Sequence, residues 1–178
     1  MPLNPVLNIN DPPEAVTKGL LRGTLQVKTL PVNQMLFRFA SSQIPYQYRE
    51  AGPWWVDQEN YLKIIAACKS SFQQYGARRL KLGSLGRSAL AIPFAYSRAD
   101  IIVQARVKEE LNVFAGMGKP QDIETAPDGT ITYIGWIAWP NLEQLYVPNL
   151  VTKRNVHYEW TSLGRQALQI TNCTRIES

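Results

Sequence analysis

An arginine stands inside a short apolar run near the start of the chain. The segment Leu36-Phe37-Arg38-Phe39 is typical of a β-strand apart from this one charge. Because burying an unpaired guanidinium is costly, Arg38 must meet an anion or a carbonyl oxygen if it faces inward. That partner is either an internal carboxylate or a ligand phosphate. On the outer side of an edge strand, Arg38 would simply be solvated.

A pair of tryptophans, Trp54 and Trp55, precedes the main predicted helix. In the loop predicted here, their large flat rings could stack on a nicotinamide, an adenine or another base. They could equally anchor the start of the helix in the core. Both residues are therefore candidates for the wall of a ligand pocket.

A carboxylate and an amide stand side by side at the start of a late apolar strand, as Glu143 and Gln144. A strand edge beside a cleft suits a catalytic acid, and a turn would explain the same two residues. The pair is a candidate for the catalytic centre.

Other familiar motifs of catalysis or metal binding are absent from the sequence. His157 is the only histidine, and its place in an alternating segment predicts an exposed strand residue rather than a general base. The segment Gly116-Met117-Gly118-Lys119 lacks a following Ser or Thr, which favours a surface loop that could still border a ligand cleft. Cys68 and Cys173 are predicted to be free thiols. No metal site is predicted.

A mixed α+β domain must position these residues. The clearest element is a helix over Asp57–Tyr75, whose apolar residues recur every three or four positions before Gly76. A short N-terminal helix is predicted after Asp11, which we expect to cap it. Alternating or β-branched segments predict strands at 25–29, 35–39, 79–82, 89–94, 100–107, 130–137, 144–147, 155–160 and 166–171. We therefore expect a mostly antiparallel sheet in one globular domain, residues 11–178, preceded by an extended arm, residues 1–10.

The charge of the chain favours partners that carry phosphate. Its formal net charge is +5 and its pI is about 9.3, and the densest basic group is Arg78, Arg79, Lys81 and Arg87. No apolar run approaches the length needed to span a bilayer, and the N-terminal residues do not resemble a signal peptide. We therefore expect a cytoplasmic protein with no membrane contact.

The order of these features resembles that of the ADP-ribosyltransferase superfamily over roughly residues 34–160. In that family an early strand supplies an arginine, a helix packs behind it, a middle strand carries Ser or Thr, and a late strand begins with a Glu motif. Here the corresponding segments contain Arg38, the helix from Asp57, Ser84–Ser88, and Glu143. By its distance from Pro148, however, Gln144 rather than Glu143 matches the position of the family's glutamate.

This resemblance implies an NAD-consuming toxin or effector, either an ADP-ribosyltransferase or an NAD glycohydrolase. Arg38 would hold the NAD phosphates or ribose, as its bidentate fork allows. Glu143 would stabilise the oxocarbenium-like transition state as nicotinamide leaves. Trp54, Trp55 and Ser88 would border the bound NAD. A protein or a nucleic acid would accept the ADP-ribosyl group.

Two other functions remain open from the sequence. A nucleic-acid-binding module would use the Arg78–Arg87 cluster together with exposed Trp54 or Trp55, and its binding would depend steeply on salt. A protein-interaction or assembly domain would instead present its aromatic surface to another chain.

Overall fold

The computed structural model describes residues 1–92, 97–120, 124–125, 131–133 and 138–177. The helices in this part of the chain are α1 (Glu14–Gly19), α2 (Tyr46–Arg49), α3 (Gln58–Tyr75), α4 (Leu82–Leu90) and α5 (Ser162–Ala167). The strands are β1 (Gln26–Leu30), β2 (Met35–Ala40), β3 (Trp54–Asp57), β4 (Ile101–Val107), β5 (Leu111–Met117), β6 (Glu124–Thr125), β7 (Ile131–Tyr133), β8 (Glu143–Tyr146), β9 (Val151–Arg154), β10 (His157–Trp160) and β11 (Leu168–Arg175).

Seven of these strands form one antiparallel sheet, in the order β1-β5-β8-β3-β2-β4-β11. Two short hairpins, β9-β10 and β6-β7, lie outside it. The predicted α+β class, with a mostly antiparallel sheet and one main helix, is confirmed. Within the described residues, no helix combines the length and apolar character needed to cross a membrane.

Apolar cores lie on both faces of the sheet, because neighbouring residues of a strand point to opposite faces. On β2, Leu36 and Ala40 belong to the first core and Phe37 and Phe39 to the second. The first core is covered in part by Leu3, Leu163, Val151 and Trp160. The second core lies under α3 and α4, and includes Ile64, Leu85, Ala89 and Leu90. The two faces therefore form separate surroundings for any site residue.

The structure confirms both predicted ends of the main helix. Asp57 is the N-cap of α3, and its Oδ1 accepts a hydrogen bond from the Asn60 amide at 2.8 Å. Gly76 ends the helix with a φ of 55°, a conformation that glycine adopts without strain. The short N-terminal helix is also present as α1, but Pro13 rather than Asp11 is its N-cap residue and no side chain caps it.

The strands predicted at 79–82 and 89–94 are wrong, because the helix α4 occupies much of residues 79–94. Residues 79–81 form no strand and α4 covers 82–90; residues 93–94 lie outside the described part of the chain. Gly86 lies so close to the Phe39 ring that a Cβ would overlap it. Leu85 and Ala89, one helical turn apart, then pack into the second core. Tertiary packing thus outweighs the low helix propensity of the glycines.

Most other strand predictions agree with the structure. The strands β1, β2, β4, β8 and β10 fall on or within two residues of the predicted segments. Of 130–137, only β7 is among the described residues. The segment predicted as a strand over 166–171 begins instead in α5, whose N-cap is Thr161, and continues as β11. The arm of residues 1–10 packs on the sheet, where Leu3 pairs with Leu111.

Candidate functional site

Arg38 projects from the middle of the sheet on the side of the first core. It lies between Leu36 and Ala40 on the same face of β2 and is partly exposed to solvent. Its Nη1 donates a hydrogen bond to the Arg49 carbonyl oxygen at 2.6 Å. Burial lowers the pKa of Arg38 to about 10, so that the side chain is still a cation at neutral pH.

This cation has no carboxylate partner among the described residues. The salt bridges in that part of the chain join other pairs. The ionisable side chains that act on Arg38 are Tyr158 and Cys173, whose negative forms would raise its pKa. Burial raises the pKa of the Cys173 thiol, which keeps this group neutral near pH 7. A desolvated guanidinium that donates to a backbone carbonyl oxygen and meets no carboxylate is favourable for binding an anionic ligand.

The short helix α2 and the strand β10 border this cation. The Tyr48 ring stacks on the His157 ring, with centroids 4.7 Å apart and an interplanar angle of 10°. We call the group Arg38, Tyr48, Arg49, His157 and Tyr158 the Arg38 niche. His157 lies in a strand, β10, as predicted, but this stack leaves it half-buried rather than exposed. The ring that covers it comes from a distant part of the chain.

Side-chain hydrogen bonds tie α2 to the sheet. Arg49 donates from Nε to the Ile44 carbonyl at 2.6 Å and from Nη2 to the Ser42 carbonyl at 2.8 Å. The Ser42 amide and hydroxyl both donate to the Asp100 carboxylate. Burial favours a higher pKa for Asp100, but the hydrogen bonds from Ser42 and the charge of Arg175 lower it below its usual value. Asp100 is therefore held ionised as the anchor of the loop before α2.

Glu143 lies on the same face of the sheet as Arg38, since it stands two residues before Leu145 of the first core. Its carboxylate accepts hydrogen bonds from Gln26 Nε2 at 2.7 Å and from Lys28 Nζ, with which it forms a salt bridge. The register places Glu143 two strands away from β2 and level with Leu36. Standard strand spacings then put its Cα about 12 Å from that of Arg38.

Gln144 points to the opposite face of the sheet. It is buried, and its Nε2 donates to the Leu90 carbonyl at 2.9 Å, at the end of α4. Its amide therefore satisfies a helix terminus. The strand alternation that turns Glu143 toward the first core necessarily turns Gln144 away, so the two do not share a cleft.

The tryptophan pair is likewise divided between the two faces. The prediction of a loop here is wrong, because both residues belong to β3. Trp55 is 2% exposed in the first core and donates from Nε1 to the Gly52 carbonyl at 2.9 Å. Trp54 is half-buried on the other side, against Gly19 and edge-on to Tyr146 at 4.9 Å. Trp55 therefore supports the sheet under the site and offers no free ring face.

Ser88 lies on the side of the second core. It is part of α4 rather than of a strand, and its Oγ accepts from Trp139 Nε1 at 3.4 Å. The structure thus brings Arg38, Glu143 and Trp55 to one face and leaves Trp54, Gln144 and Ser88 on the other. Four further residues near Arg38 were not candidates from the sequence: Tyr48, Arg49, Gly52 and Tyr158.

A separate open cleft lies beside α1. It has a volume of about 460 Å³, and its lining includes Asp11, Thr17, Arg22 and Lys119. Lys119 follows Gly116-Met117-Gly118, so the end of this segment does border a cleft. Met117 and Gly116 themselves belong to β5.

Gly52 is predicted to set the position of the Arg38 guanidinium. A Cβ at residue 52 would overlap the Arg38 Nε and Cζ atoms. Because these atoms end a flexible side chain, Gly52→Ala is expected to displace the guanidinium while the protein stays folded. We expect at least a tenfold loss of affinity for an anionic ligand, measured by calorimetry with ADP-ribose. Gly23→Ala is the matched control, since its Cβ would contact nothing, and equal loss in both variants would contradict the prediction.

Comparison with known proteins gives no family assignment. No protein-family model matches the chain, and no curated protein sequence matches it. The chain matches several solved structures at low similarity. One is Rhs1-CT in complex with its cognate immunity protein RhsI1, with 12% identity, a TM-score of 0.42, and coverage of 85% of this chain and 81% of that one. Another is Tse6 in complex with Tsi6, with 15% identity, a TM-score of 0.36, and coverage of 83% and 80%. Similarity this low establishes no shared activity.

Proposed function

We propose that this chain is an NAD-consuming enzyme, either an ADP-ribosyltransferase or an NAD glycohydrolase, which acts as a toxin or effector. The observation that carries the proposal is the desolvated Arg38 guanidinium, which has no carboxylate partner in the described residues and shares a sheet face with Glu143. A dinucleotide diphosphate supplies an anion for the donors of this cation that do not face the Arg49 carbonyl. It also supplies, at the far end of the ligand, a ribose for the carboxylate.

Arg38 binds the diphosphate in this proposal. One of its N–H groups donates to the Arg49 carbonyl oxygen. A guanidinium can present two of its other N–H groups in parallel to phosphate oxygens. Tyr158 adds a hydroxyl near the same position. The Tyr48 and His157 rings then form one wall of the niche.

Glu143 acts at the ribose that carries nicotinamide. The bond between C1′ and the nicotinamide nitrogen breaks, and its electron pair leaves with nicotinamide. The positive charge that develops on the ribose is stabilised by the Glu143 carboxylate. Gln26 and Lys28 occupy two acceptor positions of this group, which leaves others for a ribose hydroxyl. Water or an acceptor nucleophile then attacks C1′ and loses a proton.

The test is nicotinamide release from NAD by the purified protein. We expect release by the wild type and a loss of about a hundredfold or more in Arg38→Ala and Glu143→Gln. Arg106→Ala and Glu109→Gln are the controls, because each removes an exposed charge of the same kind elsewhere on the fold. The absence of release from folded wild-type protein, with or without cell lysate as the acceptor, would refute the proposal.

Labelled NAD distinguishes transfer from hydrolysis, and the same variants test the effector role. Labelled NAD that marks a lysate component indicates transfer, whereas free ADP-ribose alone indicates hydrolysis. Production of the wild type inside bacterial cells is expected to lower cellular NAD and stop growth. Glu143→Gln, produced at the same level, should do neither.

A further inference from the structure

A group of aromatic, aliphatic and basic residues, most of them exposed, surrounds the C-terminal half of α3. Phe72, Tyr75 and Leu80 are exposed by 54%, 55% and 56%. The cations beside them are Lys69, Arg78, Arg79 and Lys81, of which only Arg79 forms a salt bridge among the described residues, with Glu177 at 2.8 Å. We call these seven residues the α3 patch. It lies on the side of the second core, opposite Arg38 and Glu143.

The exposure of these rings follows from how α3 packs. The first half of the helix covers the sheet, where Ile64 is fully buried and Tyr61 stacks on Phe37 at 4.0 Å. In the second half the buried residue is Ser71, whose Oγ accepts from the Leu80 amide at 2.8 Å. The chain after α3 therefore returns along the helix and holds Leu80 beside it. Phe72 is left facing solvent.

The patch places rings and cations side by side at the end of α3 and in the segment that follows it. Phe72 and Tyr75 are three residues apart on α3, so their Cβ atoms are about 5–6 Å apart. The Arg79 guanidinium lies over the Phe72 ring at 5.3 Å. Flexible cations beside flat rings are the combination that binds a single-stranded nucleic acid, with bases on the rings and phosphates on the cations.

We propose that the α3 patch binds single-stranded nucleic acid. Phe72 and Tyr75 stack on successive bases, and Lys69, Arg78 and Lys81 contact the phosphates. Four cations against one carboxylate give the surface a positive charge that complements a phosphate backbone. Rings and cations are interspersed on this surface, with the Arg79 guanidinium over the Phe72 ring, so it suits splayed bases and their phosphates better than an acidic protein helix. This binding is independent of the NAD chemistry, because the two surfaces lie on opposite faces of the sheet.

The test is fluorescence anisotropy with a labelled oligouridine of about 12 nucleotides. Binding by the wild type should weaken as salt rises, with a log–log slope of about −2 to −3 for three or four phosphate contacts. Phe72→Ala and Tyr75→Ala are each expected to weaken binding about tenfold through lost stacking. The triple variant of Lys69, Arg78 and Lys81 to alanine should abolish binding and its salt dependence.

Matched controls separate this surface from general charge effects. Tyr46→Ala removes a more exposed ring from α2, and Lys153→Ala with Arg154→Ala removes two exposed cations of the β9-β10 hairpin. Both controls should bind as the wild type does. Equal losses in patch and control variants would overturn the proposal, as would absence of binding at low salt. Tighter binding of polyglutamate than of the oligonucleotide, unaffected by Phe72→Ala, would instead assign the surface to an acidic protein.

Discussion

The variant Arg38→Met is expected to lose NAD turnover by at least about a hundredfold while its melting temperature stays the same or rises. The guanidinium is desolvated and lacks a carboxylate partner in the described residues, so it contributes little to folding. Methionine has a similar length and fits apolar surroundings. The variant loses the hydrogen bond to the Arg49 carbonyl, worth about 1.5–3 kcal/mol with a charged donor, and avoids the cost of desolvating a charge. The check is calorimetric unfolding beside nicotinamide release.

A structural role for Arg38 makes the opposite prediction. If the residue is kept only to hold α2, Arg38→Met should lower the melting temperature by several degrees and leave any NAD turnover unchanged. Arg38→Lys adds a second comparison, because it keeps the charge but loses the bidentate fork. We expect it to bind ADP-ribose more weakly than the wild type and more tightly than Arg38→Met. Arg106→Met controls for the loss of an arginine on a neighbouring strand.

The variant Trp55→Ala is expected to lower the free energy of unfolding by about 3–5 kcal/mol. The indole is 2% exposed within the first core, and its Nε1 donates to the Gly52 carbonyl. Truncation leaves a cavity between β2 and β8 and an unpaired carbonyl oxygen. Since small domains are stable by only about 5–15 kcal/mol, much of the protein should unfold under mild denaturant. Urea unfolding followed by circular dichroism measures this change.

Trp54→Ala is the matched comparison, because it removes the same side chain from the next residue. Trp54 is half-buried and contacts Gly19 and Tyr146 rather than the first core. We expect a clearly smaller loss of stability than in Trp55→Ala. Similar losses in the two variants would contradict the assignment of Trp55 as the main support of the sheet below Arg38.

Local sequence patterns are sufficient to predict a helix or a strand where a residue's neighbours in sequence are also its neighbours in space. The helix α3 was predicted because its apolar spacing, its Asp57 cap and its terminal Gly76 all act within a few residues. The strands β2 and β4 were predicted for the same reason. The helix α4 was not, because its glycines favour other local conformations and only contact with Phe39 in the sheet explains them.

The candidate site also has residues that local sequence indicates and an arrangement that only the sheet explains. Arg38 was recognised from sequence because a charge in an apolar strand requires a partner wherever the strand lies. Strand alternation alone places Glu143 and Gln144 on opposite faces, although the two appear side by side in the sequence. The NAD-related roles of Glu143, Gln144, Trp54, Trp55 and Ser88 remain predictions until the variants are measured.

The α+β class, the main helix and the central strands follow from short-range periodicity in the sequence. The need of Arg38 for an anion or a carbonyl oxygen follows from the cost of burying a charge. The face that each candidate occupies, and the residues around it, depend instead on the three-dimensional packing. Tyr48 and Tyr158 stand 110 residues apart in the chain, yet α2 and β10 bring both to the Arg38 niche. Such contacts depend on strand order and register, which are set by the packing of the whole sheet rather than by any local pattern.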